Sequence, residues 1–288
     1  MIRAFALLLL LLLPVAGRTA ELKLVTWNLD WLTDRAAGDP ALPANVRPRR
    51  SGDIALLAQY AAELDADVIA IQEVDGAAIA ARVFPPDRYV IHMTGDAVVQ
   101  RVGLVIRRGI AFTANPDVTG LELPGQHLRS GADVTLHLAH GSLRVLAVHL
   151  KTGCRESPLA PRGRRECREL ARQVPVLTGW IAARRAEQVP FVVMGDFNRW
   201  MDDHNGRPEQ LWSELANAAP LKRADAGFAS PCWGGEQFID HIILGDAAAD
   251  WIEPGTLRVL VFRETAEKWK RRLSDHCPVS VRLLVPDG

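Results

Sequence analysis

Six short polar clusters lie at the ends of apolar, strand-like runs in this chain, and their side chains are of the types that bind cations and transfer protons. The clusters are Trp27-Asn28-Leu29-Asp30, Ile71-Gln72-Glu73, Val148-His149-Leu150, Gly195-Asp196-Phe197-Asn198, Ile239-Asp240-His241-Ile242 and Ser274-Asp275-His276-Cys277-Pro278. A single carboxylate at the end of a strand is often only a turn or cap residue. Together, however, the clusters bring Asn, Asp, Glu and His to strand ends, where open α/β sheets bind their ligands. This combination suits metal-assisted attack of water on a phosphate ester.

The acidic side chains of these clusters predict a site for a hard divalent cation, Mg²⁺ or Mn²⁺. Mg²⁺ takes oxygen ligands, keeps several waters and uses one or two carboxylates. Glu73 is the first candidate, and it would lie beside Asn28 if their two strands pair. Asp30 and Asp275 would complete or extend the ligand set. The competing interpretations are a helix-start residue for Glu73 and a solvated turn carboxylate for Asp30.

The histidines and the GDFN segment predict the groups that act on the phosphate. His276 is the candidate general base, because imidazole titrates near neutral pH; a buried structural histidine is the alternative. Asp196 and Asn198 stand two residues apart, so on an extended turn both would face the phosphate while Phe197 packs away. An Asx turn would show the same spacing. Asn198 and His149 would donate hydrogen bonds to the phosphoryl oxygens as charge develops, unless His149 is an ordinary core histidine.

The order of these clusters resembles that of the endonuclease/exonuclease/phosphatase superfamily, which has the deoxyribonuclease-I-like fold. The matching pieces, which run from Trp27 to Pro278, are WNLD, IQE, the histidine of AVHL, GDFN, IDHI and SDHCP. GDFN and SDHCP are specific in combination, whereas IQE and IDHI alone would occur by chance. The resemblance, to an exported bacterial-type member, implies that Asp240 is the carboxylate that orients His276. It also implies that Arg129 contacts the substrate phosphate.

Short apolar runs alternate with helix-length stretches, which predicts an α/β protein. The run 192–194 is continuously apolar, as is typical of a strand covered on both faces, whereas 134–140 alternates like a strand with one wet face. Strands are predicted at 22–28, 67–72, 89–93, 103–107, 134–139, 143–150, 191–195, 238–244, 257–262 and 279–285, and helices at 53–63 and 166–185. Pro175 is expected to start or kink a helix. The resemblance implies a four-layer α/β sandwich, with two packed mixed β-sheets flanked by helices.

The first twenty residues predict an export signal. Arg3 supplies a positive start, and residues 5–13 form an apolar core that is too short to span a bilayer, for which a helix needs about 20 residues. An uncleaved anchor is the alternative. We therefore expect a signal peptide at 1–20 and a single catalytic domain at 21–288. The mature protein would be secreted or periplasmic, monomeric, without a transmembrane anchor, and with no stable protein partner implied.

Four cysteines in an exported chain are expected to pair, and four allow three connectivities. Cys154 with Cys167 would close an arginine-rich loop, and Cys232 with Cys277 would then tie a second loop to the segment beside His276. A zinc site is the competing interpretation, but the spacing contains no C-x-x-C pair.

The charge balance bears on the substrate. Without Arg3 and Arg18 the chain carries 32 basic and 34 acidic side chains, whereas a protein held to nucleic acid mainly by nonspecific charge is expected to be basic. Binding of a polyanion would therefore need a local patch. The basic residues of 151–172 follow His149 directly and would form the rim of the site, although Glu156, Glu166 and Glu169 offset part of their charge.

These features together predict a divalent-metal-dependent phosphodiesterase that hydrolyses nucleic acid as an endonuclease. One competing interpretation is a phospholipid (sphingomyelinase-like) phosphodiesterase or a small-molecule phosphatase of the same fold, and another is a binding protein that has lost catalysis. A lipid enzyme would be expected to expose an apolar, aromatic-tipped loop, for which Phe228 and Trp233 are the candidates. Trp200, Trp233 and Trp269 could stack on bases, with ordinary loop packing as the alternative.

Overall fold

The computed structural model describes residues 20–126, 128–139, 141–235 and 237–286, so the predicted signal peptide lies outside the described residues except for Ala20. The strands are β1 (Ala20–Leu32), β2 (Val68–Val74), β3 (Tyr89–Met93), β4 (Arg101–Arg107), β5 (Ala111–Ala114), β6 (Ala132–Leu138), β7 (Gly141–His149), β8 (Phe191–Asp196), β9 (Leu221–Arg223), β10 (Asp240–Gly245), β11 (Arg258–Val259) and β12 (Val279–Val285). The helices are α1 (Ser51–Leu64), α2 (Ala77–Ala80), α3 (Arg165–Ala186) and α4 (Gln210–Ala218). Across the described ranges, none of the helices has the length and apolar character needed to span a membrane.

The strands form two six-stranded mixed sheets. The first has the order β11-β12-β1-β2-β4-β3 and the second β5-β6-β7-β8-β10-β9. The parallel neighbours are β1 with β2 and β7 with β8, and the other pairs are antiparallel. A parallel pair requires a crossover connection, and here α1 and α3 are the crossovers. Both helices predicted from the sequence therefore serve to bring two strand ends to one edge of a sheet.

Apolar side chains divide the fold into four layers. Leu24 and Leu104 of the first sheet pack against Val134 and Met194 of the second in a fully buried core between the sheets. On the outer face of the first sheet, α1 packs through Leu57 and its neighbours. On the outer face of the second sheet, α3 and α4 pack over the other side of β8. The predicted four-layer sandwich of two mixed sheets flanked by helices is confirmed.

Several elements differ from the sequence-based expectation. Helix α3 continues through Pro175, as the predicted helix 166–185 requires, so of the two options given for Pro175 a helix start is excluded. The buried stripe that includes Leu170, Leu177 and Ile181 holds the helix on the sheet although proline lacks a backbone N–H. The sequence did not indicate β5, β9, α2 or α4, which are short elements with few buried apolar positions. The predicted strand 257–262 is reduced to β11.

Two disulfides tie loops to the sandwich, and both have the expected partners. Cys154 is bonded to Cys167 and Cys232 to Cys277. In the chain-entropy model, closing a loop the size of the first contributes about 3 kcal/mol to stability. The fully buried Arg199 also holds this first loop, because its Nη1 donates to the carbonyl oxygens of Cys154 (2.8 Å) and Ser157 (2.9 Å). The segment after β7 is thereby fixed against the end of β8.

Close contact between β7 and β8 depends on Gly195. Its φ is +152°, and a Cβ at this position would lie 2.0 Å from the carbonyl oxygen of Val148 on the neighbouring strand. The next residues along the two strands, His149 and Asp196, are partners in the register. A side chain at 195 would therefore separate the strands at the point where they carry two candidate site residues.

We expect Gly195→Ala to lower the free energy of unfolding by about 3 kcal/mol, because the added methyl group collides with backbone that cannot move without breaking the sheet. Urea unfolding followed by circular dichroism would measure the change. Gly52→Ala is the matched control, since Gly52 lies in α1 with nothing within 4 Å of an added Cβ; it should be neutral or more stable by about 0.5–1 kcal/mol. Equal midpoints for the two variants would contradict this account of Gly195.

Candidate active site

The second sheet brings three predicted site residues into one row. In the strand register His149 on β7 pairs with Asp196 on β8, and Asp196 pairs with Asp240 on β10. Directly paired residues point to the same side of a sheet. One side chain from each of three neighbouring strands therefore reaches the same edge of the second sheet.

The first sheet contributes Asn28 and Glu73 to the same edge. Asn28 on β1 pairs with Gln72 on β2, the residue before Glu73. The Asn28 amide donates to Asp196 Oδ2 (3.0 Å) and to Glu73 Oε1 (3.3 Å), and the Trp31 N–H donates to Glu73 Oε2 (3.1 Å). Asn28 thus connects a carboxylate of its own sheet with a carboxylate of the opposite sheet, as expected if β1 and β2 pair.

Left-handed backbone shapes this end of the first sheet. Asp30, Trp31 and Glu73 have φ values of 42°, 55° and 61°, a region that costs a non-glycine residue roughly 1–3 kcal/mol. The ladder between β1 and β2 is interrupted after Asn28 and resumes at Leu32. Strain of this kind is common at functional sites, and here it turns the Glu73 carboxylate towards Asn28.

His276 is held by Asp240, as the family resemblance implied. The two side chains are 2.8 Å apart between Nδ1 and Oδ2, and because a carboxylate only accepts, Nδ1 donates. Nε2 is left facing Asp196 Oδ2 at 3.8 Å. Burial of His276 favours its neutral form, but the carboxylates of Asp240 and Asp196 outweigh it and raise its pKa well above the usual value. The geometry assigns Nε2 as the nitrogen that faces the centre of the site.

Asp196 is the most buried carboxylate of the group. Burial, together with the nearby Asp240 carboxylate, raises the pKa of Asp196 to about 7, against the lowering effect of His276. Its Oδ1 accepts the backbone N–H of Asn198 (2.7 Å), and its Oδ2 accepts from the amides of Asn198 (3.1 Å) and Asn28 (3.0 Å). With His149, five of the predicted site residues therefore lie around one carboxyl group.

The turn that carries Asn198 is not extended, and that part of the prediction is wrong. Asn198 has a φ of 52°, and its N–H bond to Asp196 closes an Asx turn, the alternative that its spacing allowed. Asparagine tolerates the left-handed conformation because its short side chain makes local hydrogen bonds; here the amide donates to the Leu150 carbonyl (3.2 Å). Phe197 is buried against His241, as predicted.

The side chains of His149 and Arg129, two residue types that can carry positive charge, are buried beside these acids. His149 Nε2 lies 3.4 Å from Asp196 Oδ2 and 3.7 Å from Glu73 Oε1. Burial, with Arg129 nearby, lowers the pKa of His149 well below its usual value, so the ring is neutral. Arg129 Nη2 donates to the Leu150 carbonyl (3.3 Å), whereas Arg129 Nε and His149 Nδ1 have no hydrogen-bond partner among the described residues. Buried groups with unused hydrogen-bonding capacity are suited to binding a polar ligand.

The remaining predicted ligands lie on the first-sheet side. Burial and repulsion from Asp275 and Glu73 raise the pKa of Asp30 to about 6, although Arg49 lies 3.4 Å away. The Asp275 side chain is 58% exposed, with Oδ1 3.9 Å from His276 Nε2. Carboxylates that repel one another on one rim, together with an amide oxygen, form the all-oxygen donor set that Mg²⁺ and Mn²⁺ prefer. The site residues therefore fit a hard divalent cation.

A second group could also hold a cation. Among the described residues, Asp196, Asp240 and His276 offer ligand atoms within 4.8 Å of one another. The His276 Nδ1 is engaged with Asp240 in this group. We therefore favour the carboxylates around Glu73 as cation ligands.

Sequence reasoning gave no role to two residues that assemble the site. Ser274 is fully buried; its hydroxyl donates to the Asn28 carbonyl (2.7 Å) and accepts the His276 N–H (2.9 Å), so it joins β1 to the segment of His276. Arg49 donates to the carbonyl of Leu29 (2.9 Å) and also to that of Asp30. Ser274 lies within the SDHCP motif and could have been considered, whereas Arg49 belongs to a loop without a recognisable pattern.

The basic segment 151–172 only partly forms a positive rim. Arg155 lines the pocket next to His276. Lys151 and Arg165 both pair with Glu169, at 3.6 and 2.8 Å. Part of the positive charge is therefore neutralised within the segment, as the more conservative interpretation expected.

Comparison with known proteins agrees with the motif order. The sequence model of the Endonuclease/Exonuclease/phosphatase family matches residues 25–276, whereas no curated protein matches the chain in sequence. Similar solved structures include truncated TDP2 from Caenorhabditis elegans, which is 14% identical with a TM-score of 0.62 over 92% of this chain and 98% of that one. The human Nocturnin catalytic domain is 16% identical with a TM-score of 0.57, over 91% and 93% of the two chains.

A third similar structure is the 3′ phosphatase NExo from Neisseria bound to a product DNA hairpin. It is 16% identical with a TM-score of 0.58, over 91% of this chain and 99% of that one. At these identities the likeness concerns the fold, while the family match covers the segment that contains the whole site. This chain therefore belongs to the Endonuclease/Exonuclease/phosphatase family, a family of divalent-metal-dependent phosphoester hydrolases.

Proposed function

We propose that this protein is an exported, divalent-metal-dependent phosphodiesterase that hydrolyses nucleic acid by internal cleavage. The observation that carries the proposal is the hydrogen bond of 2.8 Å between His276 Nδ1 and Asp240 Oδ2. It leaves the other ring nitrogen of His276, Nε2, facing a rim of acids and amides contributed by both sheets. An imidazole oriented by a carboxylate is a general base for activating water. The phosphoester class follows from the family, and the specific substrate and mode of cleavage are the proposal.

In the proposed mechanism the neutral form of His276 accepts a proton from the attacking water at Nε2. Because the Asp240 and Asp196 carboxylates raise the pKa of His276, the fraction of this neutral form increases with pH. Asp240 keeps Nδ1 protonated and stabilises the imidazolium that results. Asp196 lies 3.8 Å from the same Nε2 and is placed to orient the water or the leaving oxygen. His149, Asn198 and Arg129 donate hydrogen bonds to the phosphoryl oxygens, where negative charge increases in the transition state. His149 can donate because its neutral ring still carries one N–H.

Glu73, with Asn28, Asp30 and Asp275, would hold the cation. When bound, a divalent cation neutralises phosphate charge and lowers the pKa of a bound water. The protein itself orients the Glu73 carboxylate through the Asn28 amide and the Trp31 N–H, at 3.3 and 3.1 Å. Arg49 pairs with Asp30 and holds that carboxylate in place, and the same pairing neutralises part of the negative charge of Asp30.

Nucleic acid is favoured as the substrate by two observations. The similar NExo structure is described as bound to a product DNA hairpin. In addition, the exposed large hydrophobic residues of the described chain are scattered rather than clustered: Phe228 is 61% exposed, and Val90, Val261 and Leu284 lie on other elements. An enzyme that binds a bilayer would be expected to expose a contiguous apolar patch.

We also propose that residues 1–20 are a signal peptide and that residues 21–288 form one catalytic domain. The two disulfides support an oxidising location, because such bonds persist mainly in secreted and periplasmic proteins. Mass spectrometry of the intact exported protein would test the cleavage position, and a mass that includes the first twenty residues would contradict it.

The central prediction concerns His276. Purified mature protein should nick supercoiled plasmid with Mg²⁺ or Mn²⁺ and not with chelator, and His276→Ala should slow nicking by about 10²- to 10⁴-fold, because the proton acceptor is removed. His137→Ala is the matched control, since His137 is exposed on β6 and contacts Thr113. Gel electrophoresis of the nicked form measures the rate.

Other outcomes of this assay distinguish the alternatives. Degradation of linear DNA from its ends, without nicking, would replace the endonuclease by an exonuclease. Activity on sphingomyelin vesicles but not on DNA or RNA would establish the phospholipid enzyme. Retention of most nicking activity by His276→Ala would overturn the assignment of the general base.

The second prediction concerns the cation. Glu73→Gln should raise the dissociation constant for Mn²⁺ by about tenfold or more, because it removes the charged ligand and leaves its volume unchanged. Isothermal titration calorimetry without substrate measures this directly. Glu63→Gln, on the exposed side of α1 and paired with Arg263, is the control. Unchanged Mn²⁺ affinity in Glu73→Gln would require a different ligand set, for which the group around Asp196 is the candidate.

A further inference from the structure

A second feature of this site is a pocket beside His276. It has a volume of about 310 Å³, and its lining includes Asp240, Asp275 and His276 as well as Trp233 and Lys270. We propose that this pocket binds one unpaired nucleotide next to the scissile phosphate, with its base stacked on Trp233, so that the enzyme prefers single-stranded or unpaired nucleic acid over duplex. This inference rests on the proposed function and names the substrate class within it.

Contacts with other parts of the protein hold Trp233 in a backbone conformation that tryptophan disfavours. Its φ is 47°, in the left-handed region that bulky side chains avoid. Three constraints keep it there: the disulfide of the preceding residue Cys232 to Cys277, a hydrogen bond from the indole Nε1 to the Ser274 carbonyl (3.1 Å), and a bond from the Gly235 N–H to the Cys232 carbonyl (3.2 Å). Strained backbone that the surroundings enforce is typical of ligand-binding positions.

Two of the constraints on Trp233, the disulfide and the indole hydrogen bond, involve residues close to His276 in the chain. Cys277 directly follows His276, and Ser274 is the residue whose hydroxyl accepts the His276 N–H. The covalent bond and the indole hydrogen bond therefore fix the ring relative to the candidate base. A base on this ring would be kept at a constant distance from the bond that His276 acts on.

The indole ring is only half-buried and has its inner side supported. It packs against Phe262, with ring centroids 5.9 Å apart. The Lys270 Nζ lies over the ring, 5.5 Å from its centroid, and also pairs with Glu267 at 3.2 Å. The pocket lining thus offers an aromatic surface together with a cation. This combination, an aromatic ring for the base and a positive charge for the backbone, is used for binding single-stranded nucleic acid.

The other lining side chains can contact both the backbone and the base of a nucleotide. Arg155 and Lys270 supply positive charge, and Ser230 and Gln237 supply a hydroxyl and an amide that can bond to a base edge. A duplex exposes only base edges in its grooves, so an unpaired base is required to place a ring face on Trp233.

The test compares one sequence as a single strand and as a duplex. Wild-type protein should show a higher kcat/KM on the single strand, and Trp233→Leu should lower that value about tenfold through KM, since a base–aromatic stack corresponds to roughly 5- to 150-fold in affinity. The kcat/KM on duplex should fall less, so that the ratio of single-strand to duplex cleavage decreases. Trp233→Phe retains an aromatic face and should keep most of the preference.

Trp212→Ala is the control for loss of a large aromatic side chain. Trp212 lies on α4, where it packs against Arg223 in the helical layer of the second sheet. The Trp212→Ala variant should therefore leave the ratio of single-strand to duplex cleavage unchanged. Circular dichroism and a thiol assay would establish that Trp233→Leu is folded with its disulfides intact. If Trp233→Leu and wild type show the same ratio of single-strand to duplex cleavage, the pocket assignment is wrong and the nuclease function stands.

Binding without cleavage separates the two proposals further. Anisotropy of a labelled single-stranded oligonucleotide, measured in chelator, should show weaker binding by Trp233→Leu than by wild type. If wild-type protein cleaves no nucleic acid but shows this difference, the proposed function fails and the nucleotide pocket stands. If it neither cleaves nor binds the oligonucleotide, both proposals are overturned.

Discussion

The hydrogen bond from the Asn28 amide to the buried carboxylate of Asp196 joins the two sheets at the point where the site forms. Asn28 belongs to β1 of the first sheet and Asp196 to β8 of the second, and the bond is 3.0 Å long. It can form only because the sheets pack face to face and because Gly195 lets β8 approach β7 without a side chain. His276, His149 and Asn198 then take positions around the same carboxyl group. The arrangement of the site therefore depends directly on the packing of the two sheets.

This arrangement concentrates negative charge that the protein neutralises only in part. Asp30, Glu73, Asp196, Asp240 and Asp275 lie on one rim, and burial or mutual repulsion raises the pKa of Asp30 to about 6 and that of Asp196 to about 7. Arg49 and Arg129 are buried beside them but do not balance the group. Like charges held together at a cost in folding free energy are typical of sites that bind a cation. The family's dependence on divalent metal agrees with this electrostatic pattern.

The loops around the rim are held by covalent and buried polar contacts rather than by regular structure. Cys154–Cys167 and Arg199 anchor the basic segment after β7. Cys232–Cys277 anchors the loop that presents Trp233. Loops of this kind can differ in sequence while the strand ends stay the same. Most of the chemical groups thus lie at strand ends, while His276 lies in the segment before β12 that the second disulfide anchors. The choice of substrate is expected to reside on the two disulfide-linked loops.

The sequence by itself determined the strand ends, the helical crossovers and the residue types at the rim, because period and local motifs are properties of neighbouring residues. The strand at 192–194, the helix beginning near 166 and the pairing of Asp240 with His276 could all be predicted from such patterns and from the family resemblance. The roles of Ser274 and Arg49 and the strain at Trp233 could not. Each of these depends on contacts between segments that are far apart in the chain, so only the packing of the two sheets and their loops decided them.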